Sequence, residues 1–314
     1  MAYTNTDTNM TTSSALSAGM QTYYNRELLR TFEPNLVHLQ FGDEHRMPPH
    51  SGLVMNMRKL IPLETNTKAL SEGDPGESVM LAETEVTVQL QQYGEYARCT
   101  DKLDLTHLDM DIMRRTKLFG DAGARSIDAV VREELAKCAN VIYAGGKASR
   151  AKLTAADKLT SRELRKAVKT LKKNHAQTFG GYYVAIIGPD TMYDLQEDEA
   201  FVKVSQYQDK ENIYTGEVGR LFGVRLVETT EAKIFESTGA DGADVASVIV
   251  LGQYAYGVTS LKGAKPRVIV KSAGSAGTAD PLDQISTVGW KMDGFGAKLL
   301  QPEYAVRIEC GFSA

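Results

Sequence analysis

Residues 53–90, LVMNMRKLIPLETNTKALSEGDPGESVMLAETEVTVQL, give the clearest indication of how this chain folds. Apolar residues alternate with small or polar ones over residues 53–57 and again over residues 86–90, which is the pattern of two half-buried strands. The GDPG sequence at residues 73–76 favours a turn, and the polar connection over residues 64–78 is longer than a tight hairpin needs. The stretch therefore predicts an extended β-arm with a polar tip.

The segment before the arm has apolar side chains but few neighbouring residues that could bury them. Residues 1–21 are rich in Thr, Ser and Asn, and we expect them to be disordered in an isolated subunit. Tyr24, Leu28 and Phe32 recur every four residues and predict a helix. Pro34 either ends this helix or begins a second one. Because apolar stripes without local cover commonly bind another molecule, we predict that these segments bind a second copy of the same protein.

The N-terminal segment and the arm supply a set of predicted inter-subunit contacts. Four lie on the N-terminal segment and four near the tip of the arm: Tyr23, Tyr24, Leu28, Phe32, Lys68, Leu70, Glu72 and Asp74. For the aromatic pair at residues 23–24, packing within the subunit and anchoring on a neighbour are both open interpretations.

Composition limits the class of protein. The 314 residues suffice for one large domain or two moderate ones, and 42% hydrophobic with 24% charged residues is ordinary for a soluble globular protein. The net charge of −4 argues against a dedicated nucleic-acid-binding protein, because phosphate contacts need surplus Lys and Arg. The three cysteines form no CxxC pair or disulfide pattern, and we expect neither a membrane span nor a secretory signal.

A long helix is predicted over residues 109–143, which contain no proline. Asp128 and Glu133 each precede a basic residue by four positions and predict ion pairs on its exposed side. A continuous helix of this length would measure about 50 Å, with two glycines that could bend it and Gly145–Gly146 to end it. Its apolar stripe has helical spacing and comprises Ile127, Val131, Leu135, Cys138 and Ile142.

The remainder of the chain mixes helices and strands without a regular βαβ order. A capping box at residues 160–163 predicts a helix with an apolar face, the run at residues 182–187 predicts a central strand, and Pro189 begins a short helix. The apolar face comprises Leu164, Ala167, Val168 and Leu171. Further strands are predicted at residues 221–228, 245–251, 267–271, 287–290 and 305–310. The fold class is therefore α+β.

No motif supports catalysis, and we predict that the protein is not an enzyme and uses no cofactor or metal. The GGK at residues 145–147 lacks the first glycine and the Ser/Thr of a P-loop, and the GxG at residues 294–296 lacks the third glycine of a dinucleotide fingerprint. His38, His45 and His50 lie near two acidic residues, but this Pro-rich segment favours solvated or capping histidines over a metal site.

Two charged groups have both a structural and a functional interpretation. The run of Lys and Arg over residues 162–173 could contact DNA, but it lies opposite a regular apolar face, which favours a solvated helix surface. Asp280 and Asp283 flank Pro281, which favours turn and cap roles over acid–base catalysis.

Seven blocks of sequence carry a resemblance that extends over roughly residues 20–310. In chain order they are YYNRELL at residues 23–29, PNLVHLQFG at 34–42, NVIYAGG at 140–146, GGYYVAII at 180–187, VRLVETTEA at 224–232, GSAGTADPL at 274–282 and STVGWK at 286–291. They resemble, in the same order, the major capsid proteins of Enquatrovirus-type tailed phages, the family named after coliphage N-four. Residues 236–246 match least and look like a variable surface loop.

The resemblance implies the Hong Kong 97-type phage capsid fold, with a defined domain organisation. It implies an N-terminal arm over residues 1–50, an extended β-hairpin called the E-loop over 51–98, a peripheral domain with a long spine helix over 99–146, an axial domain over 147–262, and return strands of the peripheral domain over 263–314. The E-loop coincides with the β-arm that the alternation of residues already predicts.

The resemblance also implies a function. Hexamers and pentamers would form an icosahedral head shell around double-stranded DNA, bound without sequence specificity, with separate scaffolding, portal and decoration proteins and no membrane. The protein would be part of the virion and assemble in the cytoplasm of the bacterial host. Some relatives of the wider fold crosslink the E-loop through a lysine, for which Lys68 is an option. The alternatives are an encapsulin-like nanocompartment shell and a soluble α+β enzyme.

Overall fold

The computed structural model describes residues 36–48, 50–60, 83–102, 112–198, 220–261, 265–275 and 280–313, with single positions at 26, 28, 67, 69, 78, 80, 81 and 201. The chain divides into two compact units. Unit 1 comprises Met1–Val37, Gln91–Ala129 and Leu261–Phe295, and unit 2 comprises His38–Leu90, Val130–Ser260 and Gly296–Ala314. The predicted disorder of residues 1–21 and almost all of the predicted polar tip lie outside the described residues.

Strands outnumber helices in the described part of the chain. In chain order the elements are β1 Asp43–Met47, β2 Val54–Leu60, β3 Glu83–Gln89, β4 Gln91–Thr100, α1 Ile112–Leu135, β5 Val141–Tyr143, α2 Ser161–Lys173, β6 Tyr183–Ile187, α3 Pro189–Gln196, β7 Arg220–Leu221, β8 Val224–Glu228, β9 Ile234–Phe235, β10 Val245–Leu251, β11 Tyr256–Leu261, β12 Arg267–Lys271, β13 Ile285–Leu299 and β14 Ala305–Cys310. The α+β class predicted from the sequence is confirmed.

Unit 1 is built on an antiparallel sheet in which β13 lies between β12 and β4. Gly289 on β13 pairs with Ile269 on one side and with Tyr96 on the other. A Cβ atom at Gly289 would lie 2.6 Å from the carbonyl oxygen of Glu95, so the close approach of these strands requires glycine. Trp290 is 3% exposed, which places the largest side chain of β13 in the apolar interior.

Unit 2 contains a seven-stranded mixed sheet with the order β5-β14-β10-β6-β8-β7 and β9 beside β10. Strand β14 runs antiparallel to β10 and parallel to β5, and β6 runs antiparallel to β10 and parallel to β8. Every residue of β6 and β10 is buried. Strands covered on both faces need continuous apolar sequence, and the predicted central strand at residues 182–187 is therefore confirmed.

Helix α2 packs against the sheet of unit 2 through its apolar face. The predicted buried residues Leu164, Ala167, Val168 and Leu171 are all confirmed. Thr160 is the N-cap, as predicted, but its hydroxyl donates to the carboxylate of Glu163 and accepts no backbone N–H, so the reciprocal bonds of a capping box do not form. The backbone N–H of Ser161 donates to Asp198 Oδ2 at 2.8 Å, so a neighbouring carboxylate satisfies one of the free donors of the first turn.

Strands β2 and β3 form the predicted arm as a two-stranded antiparallel pair. Seven residues of each strand pair, from Val54 opposite Gln89 to Leu60 opposite Glu83. Met57 and Val88 are buried, whereas Leu53 is 57% exposed and does not belong to the covered side. The strand prediction at both ends of the arm is confirmed.

The long helix is shorter than predicted. Helix α1 ends at Leu135, and residues 141–143 form strand β5 beside β14. The last residues of the predicted helix are extended because Asn140 bonds across to another segment: its carbonyl accepts the N–H of Arg307, and its side chain donates to the carbonyl of Pro302 at 2.9 Å. Asn competes for backbone groups in this way, and Val-Ile-Tyr favours a strand.

Other predictions about helix α1 also change. The glycines do not divide the helix, which is continuous over Ile112–Leu135. Asp128 is fully buried instead of lying on an exposed side, and Glu133 pairs with Lys233, at 2.8 Å, from another segment. Lys137 lies beyond the helix end and pairs with Glu134. None of the helices within the described residues is long and apolar enough to cross a membrane.

Of the strands that the structure describes, five lie in segments that were not predicted to be strands. They are β1, β4, β5, β9 and β11, and β13 extends well beyond the predicted residues 287–290. Residues 37–41 form turns and not a second helix after Pro34. The hydroxyl of Tyr256 on β11 donates to the carbonyl of His38, and this hydrogen bond attaches the turn to strand β11.

Candidate assembly surfaces

Only one of the predicted inter-subunit contact residues lies among the described residues. Leu28 is helical and fully buried within the chain, so it has no exposed area for a neighbour to cover. The other seven lie outside the described residues: Tyr23, Tyr24, Phe32, Lys68, Leu70, Glu72 and Asp74. Their contact with a neighbouring subunit stays a prediction, as do the predicted domain boundaries.

The arm exposes apolar side chains on both of its segments. Leu53 and Val54 are 57% and 52% exposed at the start of β2, and Met80 and Leu81, just before β3, are 90% and 73% exposed. A two-stranded sheet is marginally stable in water without further cover. The arm therefore carries apolar surface that gains free energy when another molecule covers it.

The base of the arm is fixed to the body of unit 2. Lys59 Nζ on β2 donates to Glu303 Oε2 at 2.9 Å, and Asn174 Nδ2, at the end of α2, donates to the backbone carbonyl of Glu303 at 3.0 Å. The hydrogen bond from Lys59 lowers the pKa of the Glu303 carboxyl, against the opposing effect of burial. A Cβ at Gly257 would lie 3.0 Å from Met57 Sδ, so β2 also packs closely on strand β11.

Unit 1 has an open groove of about 710 Å³ on its sheet. Its walls come from β4, β12 and β13, and Tyr96 and Ile269 are 61% and 37% exposed beside it. Arg98 holds the Tyr96 ring in place, because its guanidinium lies 5.7 Å from the ring centroid and donates to the hydroxyl at 3.2 Å. Lys271 and Lys291 add cations to the lining. The groove can receive an extended segment that is largely apolar.

A buried carboxylate holds the last strand of the central sheet in place. Glu309 on β14 is fully buried and accepts two hydrogen bonds from Arg150, at 2.8 and 2.6 Å. Arg307 Nε lies 2.9 Å from Glu309 Oε1. The Arg150 guanidinium also stacks 3.5 Å from the ring centroid of Phe235. The buried negative charge of Glu309 is therefore compensated by the two guanidinium groups that face it.

A second buried carboxylate, Asp194 on α3, binds the segment that follows β14. Ser313 donates to it from its backbone N–H at 2.9 Å and from its hydroxyl at 2.7 Å, and Lys158 Nζ lies 2.9 Å away. Burial alone would raise the pKa of Asp194, but these donors outweigh burial and the pKa is lowered. The carboxylate is therefore a structural anchor in its charged form.

The groups that the sequence analysis examined for chemistry have structural roles. Gly145 has φ +62°, and Lys147 Nζ lies 3.6 Å from Asp157, so the GGK sequence is a turn closed by an ion pair. Asp280 Oδ2 accepts the N–H of Ile285 at 2.7 Å, which confirms its role in a turn. Within the described residues, no group of three or more His, Cys, Asp or Glu side chains could hold a metal ion.

Comparison with known proteins decides the family. A family model described as phage capsid protein matches residues 83–308. The chain belongs to the phage capsid protein family. No curated protein matches it.

Solved capsid structures share the fold of this phage capsid protein at low sequence identity. The capsid of Ralstonia phage GP4 has a TM-score of 0.68 at 14% identity, over 100% of this chain and 98% of that one. The capsid of cyanophage P-SCSP1u has a TM-score of 0.66 at 16% identity, over 88% and 89%. The capsid of cyanophage Pam1 has a TM-score of 0.65 at 16% identity, over 90% and 92%.

The fold is thus the Hong Kong 97-type capsid fold, as the resemblance implied. The phage capsid protein is a structural protein of the head shell and a component of the virion. The nanocompartment alternative has less support, because the matching family model describes phage capsid proteins.

Sequence reasoning missed two features of these surfaces. Strand β4 forms one wall of the groove. It contains Gly94 and exposes most of its residues, so its sequence shows little alternation of apolar and polar residues. Lys59 and Glu303 are 244 residues apart, and nothing in the sequence signals their contact. The groove and the fixed base of the arm depend on the assembled sheets.

Proposed function

We propose that this protein is the major capsid protein of an Enquatrovirus-type tailed phage. In this proposal, hexamers and pentamers close into an icosahedral shell around double-stranded DNA, and the protein has no catalytic role. The family match over residues 83–308 carries the proposal, and the seven resembling blocks point to the phage type. Assembly takes place in the cytoplasm of the bacterial host, with separate scaffolding, portal and decoration proteins.

The domain assignment of the resemblance accompanies this proposal. Residues 1–50 act as the N-terminal arm, 51–98 as the E-loop, 147–262 as the axial domain, and 99–146 with 263–314 as the peripheral domain. The E-loop assignment is supported by the β2–β3 pair, which leaves apolar side chains exposed while its base is fixed to unit 2. An arm that is held at one end and uncovered at the other suits contact with a neighbour.

The arm of one subunit lies over the adjacent subunit, and the groove of unit 1 is the surface that receives it. Met80 and Leu81 would bury their exposed area against the side chains that line the groove, including Tyr96 and Ile269. Residues 61–85 contain six acidic residues and one lysine, which also suits the cation of Lys271, whereas Lys291 already pairs with Asp293 at 2.8 Å.

Closure of a shell demands small differences between chemically identical contacts. A segment attached at its base adapts to such differences more readily than a rigid patch does. Each contact can be weak, because a subunit that several neighbours hold at once gains from multivalency. The arm, and not a single strong interface, would then determine whether the shell closes.

Deletion of residues 65–78 tests the role of the arm. The expected product is soluble subunits or capsomers that form no closed particles, whereas the full chain forms shells visible by negative-stain microscopy. A control deletion of residues 238–242, in a partly exposed loop remote in sequence from the arm, should leave assembly intact. Normal shells from the arm deletion would contradict the proposal.

The contents of the particles separate the remaining alternatives. DNA-filled heads from infected cells support a phage shell, and small shells with protein cargo support a nanocompartment. A small oligomer under all conditions would instead favour a soluble enzyme. Denaturing gels of mature heads that show only monomer would exclude a covalent crosslink through Lys68.

A further inference from the structure

Helix α2 concentrates positive charge in an acidic protein. It contains six basic residues and one acidic residue, a net charge of +5, while the whole chain has −4 and the remainder therefore −9. The six basic side chains lie on the side opposite the apolar face: Arg162, Arg165, Lys166, Lys169, Lys172 and Lys173. At 1.5 Å per residue they form a stripe about 16 Å long.

Most of these cations lack the carboxylate partners that many other cations of unit 2 have. Arg132, Lys158 and Arg307 each lie within 4 Å of an acidic side chain. By contrast, within the described part of the chain, no ion pair involves Arg162, Lys169, Lys172 or Lys173. An unpaired cluster of like charges is unfavourable in the free subunit and gains free energy when an anion binds.

The other two cations of the stripe are partly engaged. Arg165 lies with its guanidinium 5.0 Å from the centroid of the Phe222 ring, and Lys166 Nζ lies 3.5 Å from Glu163. Both contacts leave the stripe with a large positive excess. The hydroxyl of Thr170, between the basic residues, donates back to the carbonyl of Lys166 and is not available to read a nucleotide base.

We propose that this face of α2, the basic stripe, binds the phosphate backbone of the packaged double-stranded DNA without reading its sequence. The inference deepens the proposed function, since it requires a shell that encloses DNA. Double-stranded DNA presents one negative charge per about 1.7 Å of its axis, so a stripe of this length faces an almost continuous row of phosphates. It follows that α2 faces the interior of the shell.

The composition of the stripe favours DNA over an acidic protein partner. Stable protein interfaces have an apolar or aromatic centre surrounded by polar residues. Every exposed residue of α2 is Lys or Arg, and the apolar residues of the helix are buried against its own sheet. A surface that offers charge alone suits a polyanion. The acidic remainder of the chain would limit DNA contact to this face, which agrees with the net charge of −4.

Salt dependence of DNA binding by the soluble subunit tests the proposal. The test compares Lys169→Gln/Lys172→Gln with a control of equal charge change, Lys152→Gln/Arg225→Gln, at two other exposed cations of unit 2. Fluorescence anisotropy with a labelled 30-base-pair duplex is measured between 25 and 200 mM NaCl. Each lost phosphate contact lowers the slope of log affinity against log salt by about 0.9. The stripe variant should therefore lose about 1.8 in slope, so that an increase in salt from 50 to 200 mM weakens its binding about tenfold less than it weakens binding by the unaltered protein; the control should keep the full slope.

Accessibility in closed shells tests the orientation independently. The three native cysteines are buried, so a cysteine introduced as Lys169→Cys should be the main site of labelling. A 20-kDa polyethylene-glycol maleimide should modify it in disrupted shells and not in intact ones. Full modification of intact shells would place the basic stripe outside and overturn the proposal.

The remaining outcomes are also decisive. Equal loss of DNA binding in both double variants would make the attraction general and overturn the proposal. A stripe variant that binds DNA like the full chain but no longer forms shells would assign the stripe to an acidic protein surface. Absence of shells from the unaltered protein, even when it is produced together with its scaffolding protein, would refute the proposed capsid function, whereas the binding measurement, made on soluble subunits, would still test the stripe.

Discussion

The substitution Glu309→Gln should destabilise unit 2 more than any single change to a surface charge. It keeps the size of the side chain but removes the negative charge that faces Arg150 and Arg307. Glu309 is fully buried, and the amide nitrogen of glutamine would point a donor at groups that are themselves only donors. The amide would keep one acceptor oxygen for Arg150, but both guanidinium groups would lose the negative charge that faces them inside the protein.

The geometry sets the size of the effect. Removal of one partner from a buried ion pair costs about 3–5 kcal/mol. Arg307 is 11% exposed and would stay desolvated, whereas Arg150 is 29% exposed and can recover water while it remains stacked on Phe235. We therefore expect a loss of about 3 kcal/mol in the free energy of unfolding. For a unit of roughly 200 residues this is a decrease in Tm of about 6–12 °C.

Urea unfolding of the soluble subunit, followed by circular dichroism, measures the loss. Hydrogen exchange in peptides from β10 and β14 locates it, because these strands pair around Glu309. The matched control is Glu85→Gln on the arm, whose partner Arg58 is 3.9 Å away and where both side chains are more than half exposed. An exposed pair contributes about 0–1 kcal/mol. A Glu309→Gln variant as stable as this control would refute the reasoning.

Three further predictions concern pH, core packing and a turn. The folded-state pKa of Asp194 is lowered below its unfolded value of about 3.9, so its contribution is complete above that pH and is lost as the pH falls through the folded pKa. Asp194→Asn should therefore be less stable than the unaltered protein at pH 7, and thermal melts should show the difference shrinking below about pH 4. Leu171→Ala removes a fully buried side chain and should cost about 2–5 kcal/mol in chemical unfolding, whereas Lys172→Ala beside it should cost less than about 0.5 kcal/mol. Gly145→Ala adds a Cβ at φ +62° that would meet Asp157 Oδ1 at 2.2 Å, and a lower Tm than for Ala144→Gly would be the expected result; an unchanged Tm would show that the turn can rearrange.

The buried strands were predictable because a strand covered on both faces must be apolar throughout. The strand at residues 245–251 is buried throughout and was predicted with the bounds that the structure has. The bounds predicted for 267–271, whose residues alternate between exposed and partly buried, and for 305–310 also match. The apolar faces of α2 and of the β-arm were equally clear, since their periodicities of 3.6 and 2 leave little choice. Such signals are local, and they do not depend on how the sheets assemble.

The end of the long helix was not predictable in this way. Residues 136–143 continue the apolar spacing of the helix, because Cys138 is buried and Ile142 is partly buried. What ends the helix is a distant segment: Asn140 and β5 bond to residues that come more than 160 positions later. Tertiary hydrogen bonds outweigh helix propensity here.

The candidate surfaces likewise include some that local sequence predicts and one that depends on contacts between distant segments. The exposed apolar residues of the arm follow from its alternating sequence, and the basic face of α2 follows from the spacing of its Lys and Arg. The groove of unit 1 exists only because β4 pairs with β13. The sequence of β4 gave no periodic signal, because it contains Gly94 and most of its side chains are exposed. A surface that arises from the pairing of distant strands is visible only in the folded chain.

The position of β14 within its sheet has a consequence for synthesis in the cell. This strand lies between β5 and β10, yet it is translated after every other strand of that sheet. Until residues 305–310 leave the ribosome, β10 keeps one row of backbone groups unpaired and the sheet cannot close. Long-range pairing of this kind folds slowly. An incompletely translated chain would therefore be left without a finished core and be exposed to proteases before it could enter a growing particle.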